Sequence, residues 1–225
     1  MNPKQRAAEA AMEFVRSGMV VGLGTGSTAD FFLAALADAL KTGRLTDVVG
    51  VPTSNQSERR ARQLGIPLVP LGHPNLPEVT VDGADEVGPD LNLIKGLGGA
   101  LLREKVVATN SRQMVVIADA GKVVPVLGTK SPLPVEVAKF GHETHVPFLR
   151  GLGCDPTLRL VGGEPYTTDN GNYIYDCRFP RVDDPAALEQ KLLGRAGVVE
   201  TGLFLGIASV ALIADERDVR RVTRM

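Results

Sequence analysis

Met19-Val20-Val21-Gly22-Leu23-Gly24-Thr25-Gly26-Ser27-Thr28 is the stretch on which the fold turns. Its first five residues are an apolar run without alternation, the pattern of a strand buried on both faces. Gly24 and Gly26 interrupt the run, and residues 29–40 then repeat apolar side chains at helical spacing. Strand, glycine turn and helix in this order form half of a βαβ unit. Upstream, Ala7, Ala11, Phe14 and Val15 share one face of a helix expected over residues 3–16, which Gly18 stops. Downstream, Val48-Val49-Gly50-Val51, Val79-Thr80-Val81 and Met114-Val115-Val116-Ile117-Ala118 read as further strands, with a helix expected over residues 58–64. Strands alternating with helices predict an α/β fold, a mainly parallel Rossmann-like sheet with helices on both faces.

Beyond about residue 128 the pattern changes to alternating, strand-like segments, beginning with Pro132-Leu133-Pro134-Val135-Glu136-Val137. Asp169-Asn170-Gly171-Asn172 predicts a hairpin joining residues 164–168 to Tyr173-Ile174-Tyr175-Asp176-Cys177. Residues 185–193 read as an amphipathic helix opened by Asp183 or Asp184, and residues 208–214 as a last strand that rejoins the main sheet. The expected division is a catalytic Rossmann-like domain over 1–128 and 206–225, with a small α+β subdomain over 129–205.

Composition narrows the function. The 225 residues carry 25 Lys+Arg against 26 Asp+Glu, a net charge of −1 that gives no electrostatic reason to expect nucleic acid or an anionic membrane as partner. His73, His142, His145, Cys154 and Cys177 are scattered and match no metal-ligand spacing, so no metal and no disulfide is expected. No apolar run approaches the roughly 20 residues of a membrane span, and no leader pattern precedes the first helix, which makes the cytoplasm the expected compartment. With histidine sparse and Trp absent, chemistry falls to carboxylates, lysines and backbone groups.

Four glycine-bearing turns follow strands and carry such groups. Thr25, Gly26, Ser27 and Thr28 open a helix, where free N–H groups and the positive helix end favour a phosphate. The alternative is a tight turn with a hydroxyl cap. Gly24-Thr25-Gly26-Ser27-Thr28-Ala29 also satisfies the loose dinucleotide fingerprint, but the next strand ends in Val51-Pro52-Thr53-Ser54, without the acid that would hold a ribose. A Walker loop fails for want of a lysine before Ser27 or Thr28. Asp82-Gly83-Ala84-Asp85-Glu86 puts acids at the carboxyl end of a strand, the ligand edge of open α/β sheets, where they could bind sugar hydroxyls and move their protons. Glu86 is the most surface-like of the three. Lys95-Gly96-Leu97-Gly98-Gly99 leads into a helix on which Glu104 is flanked by Ala100, Leu101, Val107 and Ala108. An acid with apolar neighbours is poorly solvated, which raises its pKa towards the range useful to a general base, unless it serves a salt bridge. Lys95 could face a developing oxyanion. Asp119-Ala120-Gly121-Lys122 adds a lysine after another strand. Together these groups suit a phosphorylated sugar undergoing proton transfer beside a carbonyl, with no cofactor.

The ordered set of residues 24–28, 82–86, 95–105 and Leu133-Pro134-Val135-Glu136-Val137 strongly resembles ribose-5-phosphate isomerase of the A type, and residues 168–172 and 197–204 resemble it as well. The resemblance implies interconversion of ribose 5-phosphate and ribulose 5-phosphate without metal or nucleotide. It implies that Glu104 is the base, that Lys95 stabilises charge on the oxygens, and that Asp82 and Asp85 bind hydroxyls and help open the ring. Residues 25–28 would hold substrate near its phosphate, joined by Gly96, Leu97, Gly98, Lys122 and Lys4, with Gly83 and Ala84 between the acids. It further implies a homodimer or homotetramer. A sugar-phosphate sensor would need the phosphate loop but not Glu104, and no helix-turn-helix precedes residue 20. A related deaminase or transferase would leave Asp82, Lys95 and Glu104 unexplained together.

Overall fold

The computed structural model describes residues 2–72 and 76–224; His73 lies outside them. The chain runs α1 (Pro3–Ala10), β1 (Val20–Leu23), α2 (Ser27–Lys41), β2 (Val49–Pro52), α3 (Asn55–Leu64), β3 (Val79–Asp82), β4 (Glu86–Val87), β5 (Leu93–Ile94), α4 (Leu101–Thr109) and β6 (Met114–Asp119). It continues through β7 (Leu133–Val137), α5 (His145–Gly151), β8 (Asp155–Leu158), β9 (Leu160–Val161), β10 (Glu164–Pro165), β11 (Tyr173–Arg178), α6 (Pro185–Leu193), β12 (Val198–Thr201), β13 (Leu203–Phe204), β14 (Ala208–Ala214) and β15 (Val219–Thr223). These elements form two compact units.

The first unit takes the residues up to Ala84, Arg103–Val123 and those from Gly206 onward. Its six-stranded sheet has the order β15-β14-β6-β3-β1-β2. Strands β1, β2, β3, β6 and β14 are mutually parallel, and β15 closes one edge antiparallel to β14. All four residues of β1 are buried, as an unalternating apolar run requires. Val21 and Leu23 pack with Phe32, Leu33 and Leu36 of α2 and with Ala7 and Ala8 of α1. Val20 points the other way, towards Val51 and Val107 of α4. Helices therefore cover both faces. The regular part of α1 ends at Ala10 and tightens into a 3₁₀ turn over Ala11–Phe14, so the expected 3–16 helix is shorter. Helix α3 starts at Asn55, ahead of the expected residue 58. The reason is a reciprocal cap, in which Ser54 and Ser57 each accept the other's backbone N–H.

The second unit comprises Asp85–Leu102 and Val124–Leu205. The expected 129–205 subdomain is thus extended by the segment 85–102, because β4 and β5 pair antiparallel with each other and β5 with β13. A four-stranded antiparallel sheet, β12-β7-β11-β8, forms its centre. One face of that sheet is apolar: Leu133, Val135, Val137, Tyr175 and Cys177 pack in a core with Leu149, Cys154 and Leu192. Asp184 caps α6 by accepting from Ala187 N–H at 2.9 Å.

The turn at residues 169–172 closes locally, with Thr168 N–H on Asn172 O, but does not join a pair of strands. Instead β10 pairs with β9, and β11 pairs with β7 and β8. The Gly162-Gly163 pair, both with positive φ, makes the actual two-residue hairpin turn. Glu86 is not surface: it is fully buried, and its carboxylate accepts from Gly128 N–H, Lys130 N–H and Ser131 N–H at 2.7, 2.7 and 2.5 Å. Glu86→Gln turns an acceptor into a donor facing one of those amides. A loss of about 1–3 kcal/mol of stability is expected in urea unfolding.

His145 is buried, and its Nδ1 accepts from Arg195 Nε at 3.0 Å. Burial, then the Arg195 charge, then His142, hold its pKa below the ordinary histidine value. The folded unit therefore keeps the ring neutral, and stability held above an unfolded pKa of about 6.5 is lost as pH falls through the folded value. The urea midpoint should drop between about pH 7 and pH 5, and drop less in His145→Asn, whose carbonyl oxygen can accept the same bond.

Candidate active site

In the first unit, β1 lies between β2 and β3. The chain leaves β1 towards one side of the sheet and returns on the other, which opens a crevice at the carboxyl ends of β1 and β3. The turns at residues 24–28 and 82–85 begin at those two ends.

Residues 24–28 form a pinned loop. Helix α2 starts at Ser27 without a side-chain cap, behind Gly26 at φ 103°. The first α2 bond is Asp30 N–H to Gly26 O, so the Ser27, Thr28 and Ala29 amides have no acceptor within the helix. Lys4, at the start of α1, donates from Nζ to Ser27 Oγ at 3.0 Å. Helix end and ammonium therefore converge on one point, the electrostatics of a phosphate site. From beneath, Thr25 Oγ1 donates to Ser54 Oγ at 2.8 Å and stands 2.8 Å from Thr53 Oγ1, which donates to Leu23 O. Thr53, Ser54 and Ser57 are all buried. Residue type alone does not mark these supporting hydroxyls; the Ser54-x-x-Ser57 spacing of a helix cap is the available signal.

Asp82 ends β3 and is fully buried. Its Oδ1 accepts from Thr25 N–H at 3.0 Å and from Gly83 N–H at 2.7 Å. The predicted acid and the predicted phosphate loop are thus joined directly. Gly24 explains how they come so near: a Cβ there would lie 2.3 Å from Asp82 Oδ1 and 2.6 Å from its Cα. Glu104, on the part of α4 that belongs to this unit, is 4% exposed, with Val107 and Ala108 on the same helix also buried. The helical-wheel expectation of a tucked-in acid holds. Arg103 beside it turns to Asn55 Oδ1 at 2.9 Å. Lys122 ends a 3₁₀ turn after β6, the neighbour of β3 in the sheet, and is half-buried.

The second unit holds the other predicted residues. Asp85 donates its N–H to Ile94 O at 2.8 Å, and its Oδ2 accepts from Leu97 N–H at 3.0 Å. Lys95 is 2% exposed; its N–H donates to Gly202 O, and its Nζ stands 5.4 Å from the centre of the Phe204 ring. Gly96 at φ 100° and Gly99 at φ 83° give residues 95–99 a path that side chains would obstruct. Gly98 and Leu97 are exposed. Among the described residues, no group of three or more His, Cys, Asp or Glu is arranged to hold a metal ion.

Residues 49–218 match the family model for ribose 5-phosphate isomerase A (phosphoriboisomerase A), which is most of the chain. The chain belongs to that family. A ribose-5-phosphate isomerase A of Roseiflexus castenholzii is 54% identical over 213 residues, covering 94% of this chain and 91% of that protein. A solved D-ribose-5-phosphate isomerase in complex with phospho-erythronic acid superposes with a TM-score of 0.97 at 40% identity, covering 100% of both chains. The ribose 5-phosphate isomerase of Plasmodium falciparum gives 0.94 at 39% identity, covering 99% of both chains. The chain is accordingly an isomerase of α/β fold, as the resemblance of its ordered motifs implies.

For this isomerase, the contact of Gly24 with Asp82 yields a direct test. Gly24→Ala forces Asp82 and the 24–28 loop apart. Displacement of a substrate-positioning group by about 1 Å can cost on the order of 10²-fold in kcat/KM, which steady-state assay should register.

Proposed function

We propose the following division of labour for the interconversion of D-ribose 5-phosphate and D-ribulose 5-phosphate, the reaction of this family in the non-oxidative pentose phosphate pathway. Residues 25–28 and Lys4 bind the phosphate, with Lys122 adding charge. Asp82 and Asp85 bind sugar hydroxyls and move protons as the ring opens. Glu104 takes the C2 proton of the open aldose, leaving an enediolate, and returns it to C1; in the same interval the O2 proton leaves and O1 gains one. Lys95 holds the charge on those oxygens, and Gly96, Leu97 and Gly98 line the substrate. No redox cofactor or metal enters these steps.

The observation that carries this reading is the buried carboxylate of Glu104, on a helix that follows a glycine turn opened by the buried Lys95. A carboxylate shielded from water suits the exchange of a carbon-bound proton, and an ammonium suits an enediolate. Asp82 and Asp85, and Lys95 and Glu104, are close neighbours in sequence. The phospho-erythronic acid bound by the related isomerase, a phosphorylated sugar acid, is of the class these groups would recognise. Self-association into a homodimer or homotetramer in the cytoplasm belongs to the same proposal, supported by the exposed Phe140, Leu160 and Val161 of the second unit.

Glu104→Gln keeps size and shape but removes the base. Turnover of ribose 5-phosphate by chelator-treated protein is expected to fall on the order of 10²-fold to 10⁴-fold, with substrate still bound. A near wild-type rate would show that Glu104 is not the base, and wild-type activity abolished by chelator would show that a metal is required.

A further inference from the structure

The polar face of the small sheet carries a device that the proposed mechanism does not use. Opposite the apolar core side of β11 stands Asp176, whose two oxygens accept from Arg159 Nε at 2.9 Å and Arg159 Nη2 at 2.5 Å. This is a fork-to-fork pair, with the Arg159 side chain 12% exposed and that of Asp176 23%. It leaves Nη1, which donates to Gly96 O at 3.0 Å and Leu97 O at 3.1 Å. The guanidinium thus gathers two consecutive carbonyls of the glycine turn. Tyr166 packs on the same turn: a Cβ on Gly99 would lie 2.2 Å from the Tyr166 hydroxyl.

A trans peptide points its C=O and N–H in opposite directions. The unit that turns Gly96 O to Arg159 therefore turns Leu97 N–H away from it, and that N–H is the donor to Asp85 Oδ2 at 3.0 Å. One peptide is held at its oxygen by a cation and at its N–H by a carboxylate, both aligned with its dipole. The next peptide, with Leu97 O on Arg159, must likewise send Gly98 N–H away from the guanidinium.

We propose that Arg159, held by Asp176, is a positioning residue for the isomerase reaction, orienting the Asp85 carboxylate through the Gly96–Leu97 peptide. A lysine cannot replace it, since one ammonium lacks the planar fork needed to hold Asp176 and reach both carbonyls. The inference rests on Asp85 acting on the sugar, as assigned above.

The test is a double-mutant cycle on the full chain, with ribose 5-phosphate as substrate. Arg159→Met is expected to lower kcat by about 10²-fold with a smaller change in KM. In an Asp85→Asn background the same substitution should change kcat less than threefold, because the group it positions is already gone. A merely structural role would instead add its full cost in that background. Should Arg159→Met not fold, Arg159→Lys keeps a cation beside Asp176 and runs the same cycle. Exchange of the Leu97 amide should speed up in either variant while the β7 and β11 amides stay protected. Retention of kcat within twofold, or full additivity with Asp85→Asn, overturns the inference. If Asp85→Asn by itself is fully active, the assignment of Asp85 fails instead.

Discussion

Two peptide N–H groups on one carboxylate oxygen, Thr25 and Gly83 on Asp82 Oδ1, tie the ligand edge of the first unit together. Everything that edge can do depends on it. Asp82 is fully buried at the end of a central strand, so the acid cannot swing towards water. The bond from Thr25 fixes the turn that opens α2, and that turn aims the helix end and Lys4 at one place. The arrangement requires Gly24, because any side chain there would occupy the space of the carboxylate. An acid and an anion-binding helix end are thereby locked at one separation, as a substrate with a hydroxyl end and a phosphate end demands.

The second unit solves the same problem with a two-faced sheet. The apolar side of its four-stranded sheet holds the core, the polar side carries Glu136 and Asp176, and Glu86 lies on β4 of the neighbouring three-stranded sheet. Glu86 gathers three amides of residues 128–131, Glu136 accepts from Thr168 Oγ1 and Asn172 Nδ2 at 2.8 and 2.9 Å, and Asp176 holds Arg159. Glu86 and Glu136 are buried and Asp176 partly so, and each carboxylate meets protein donors in place of solvent. Of these, the Asp176–Arg159 pair reaches the turn that follows Lys95, at Gly96 O and Leu97 O, and Leu97 N–H in turn meets Asp85.

Much of the first unit is legible in sequence because parallel strands buried on both faces leave unbroken apolar runs, as in Val20–Leu23 and residues 114–118. The glycine turns after them mark the ligand edge, and Glu104 betrays itself by its apolar neighbours. The second unit reads less well. Its strands β4, β5 and β13 have only two residues each, too few for any periodicity to register. Asp169-Asn170-Gly171-Asn172 has the composition of a hairpin turn, but β11 finds its partners in β7 and β8, and no local rule foresees that. Glu86 looks like one more turn acid because the amides it accepts come from about 40 residues away. Thr53 and Arg159 likewise act through contacts distant in sequence, so their residue types alone are silent.

The near-zero net charge of the chain conceals a sharp division of labour among its 26 acids. Some are structural anchors, a few are those proposed to act on the substrate, and others are solvated. What separates them is burial together with the donors each one meets. In the proposed mechanism the buried Glu104 carboxylate moves a proton between neighbouring carbons with no hydride shift. The most direct measurement follows chelator-treated protein equilibrating ribose 5-phosphate and ribulose 5-phosphate in deuterium oxide. Deuterium should enter at C1 of the ketose and C2 of the aldose, at a rate that collapses in Glu104→Gln. Isomerisation that proceeds over many turnovers with no solvent deuterium in the sugar would contradict it.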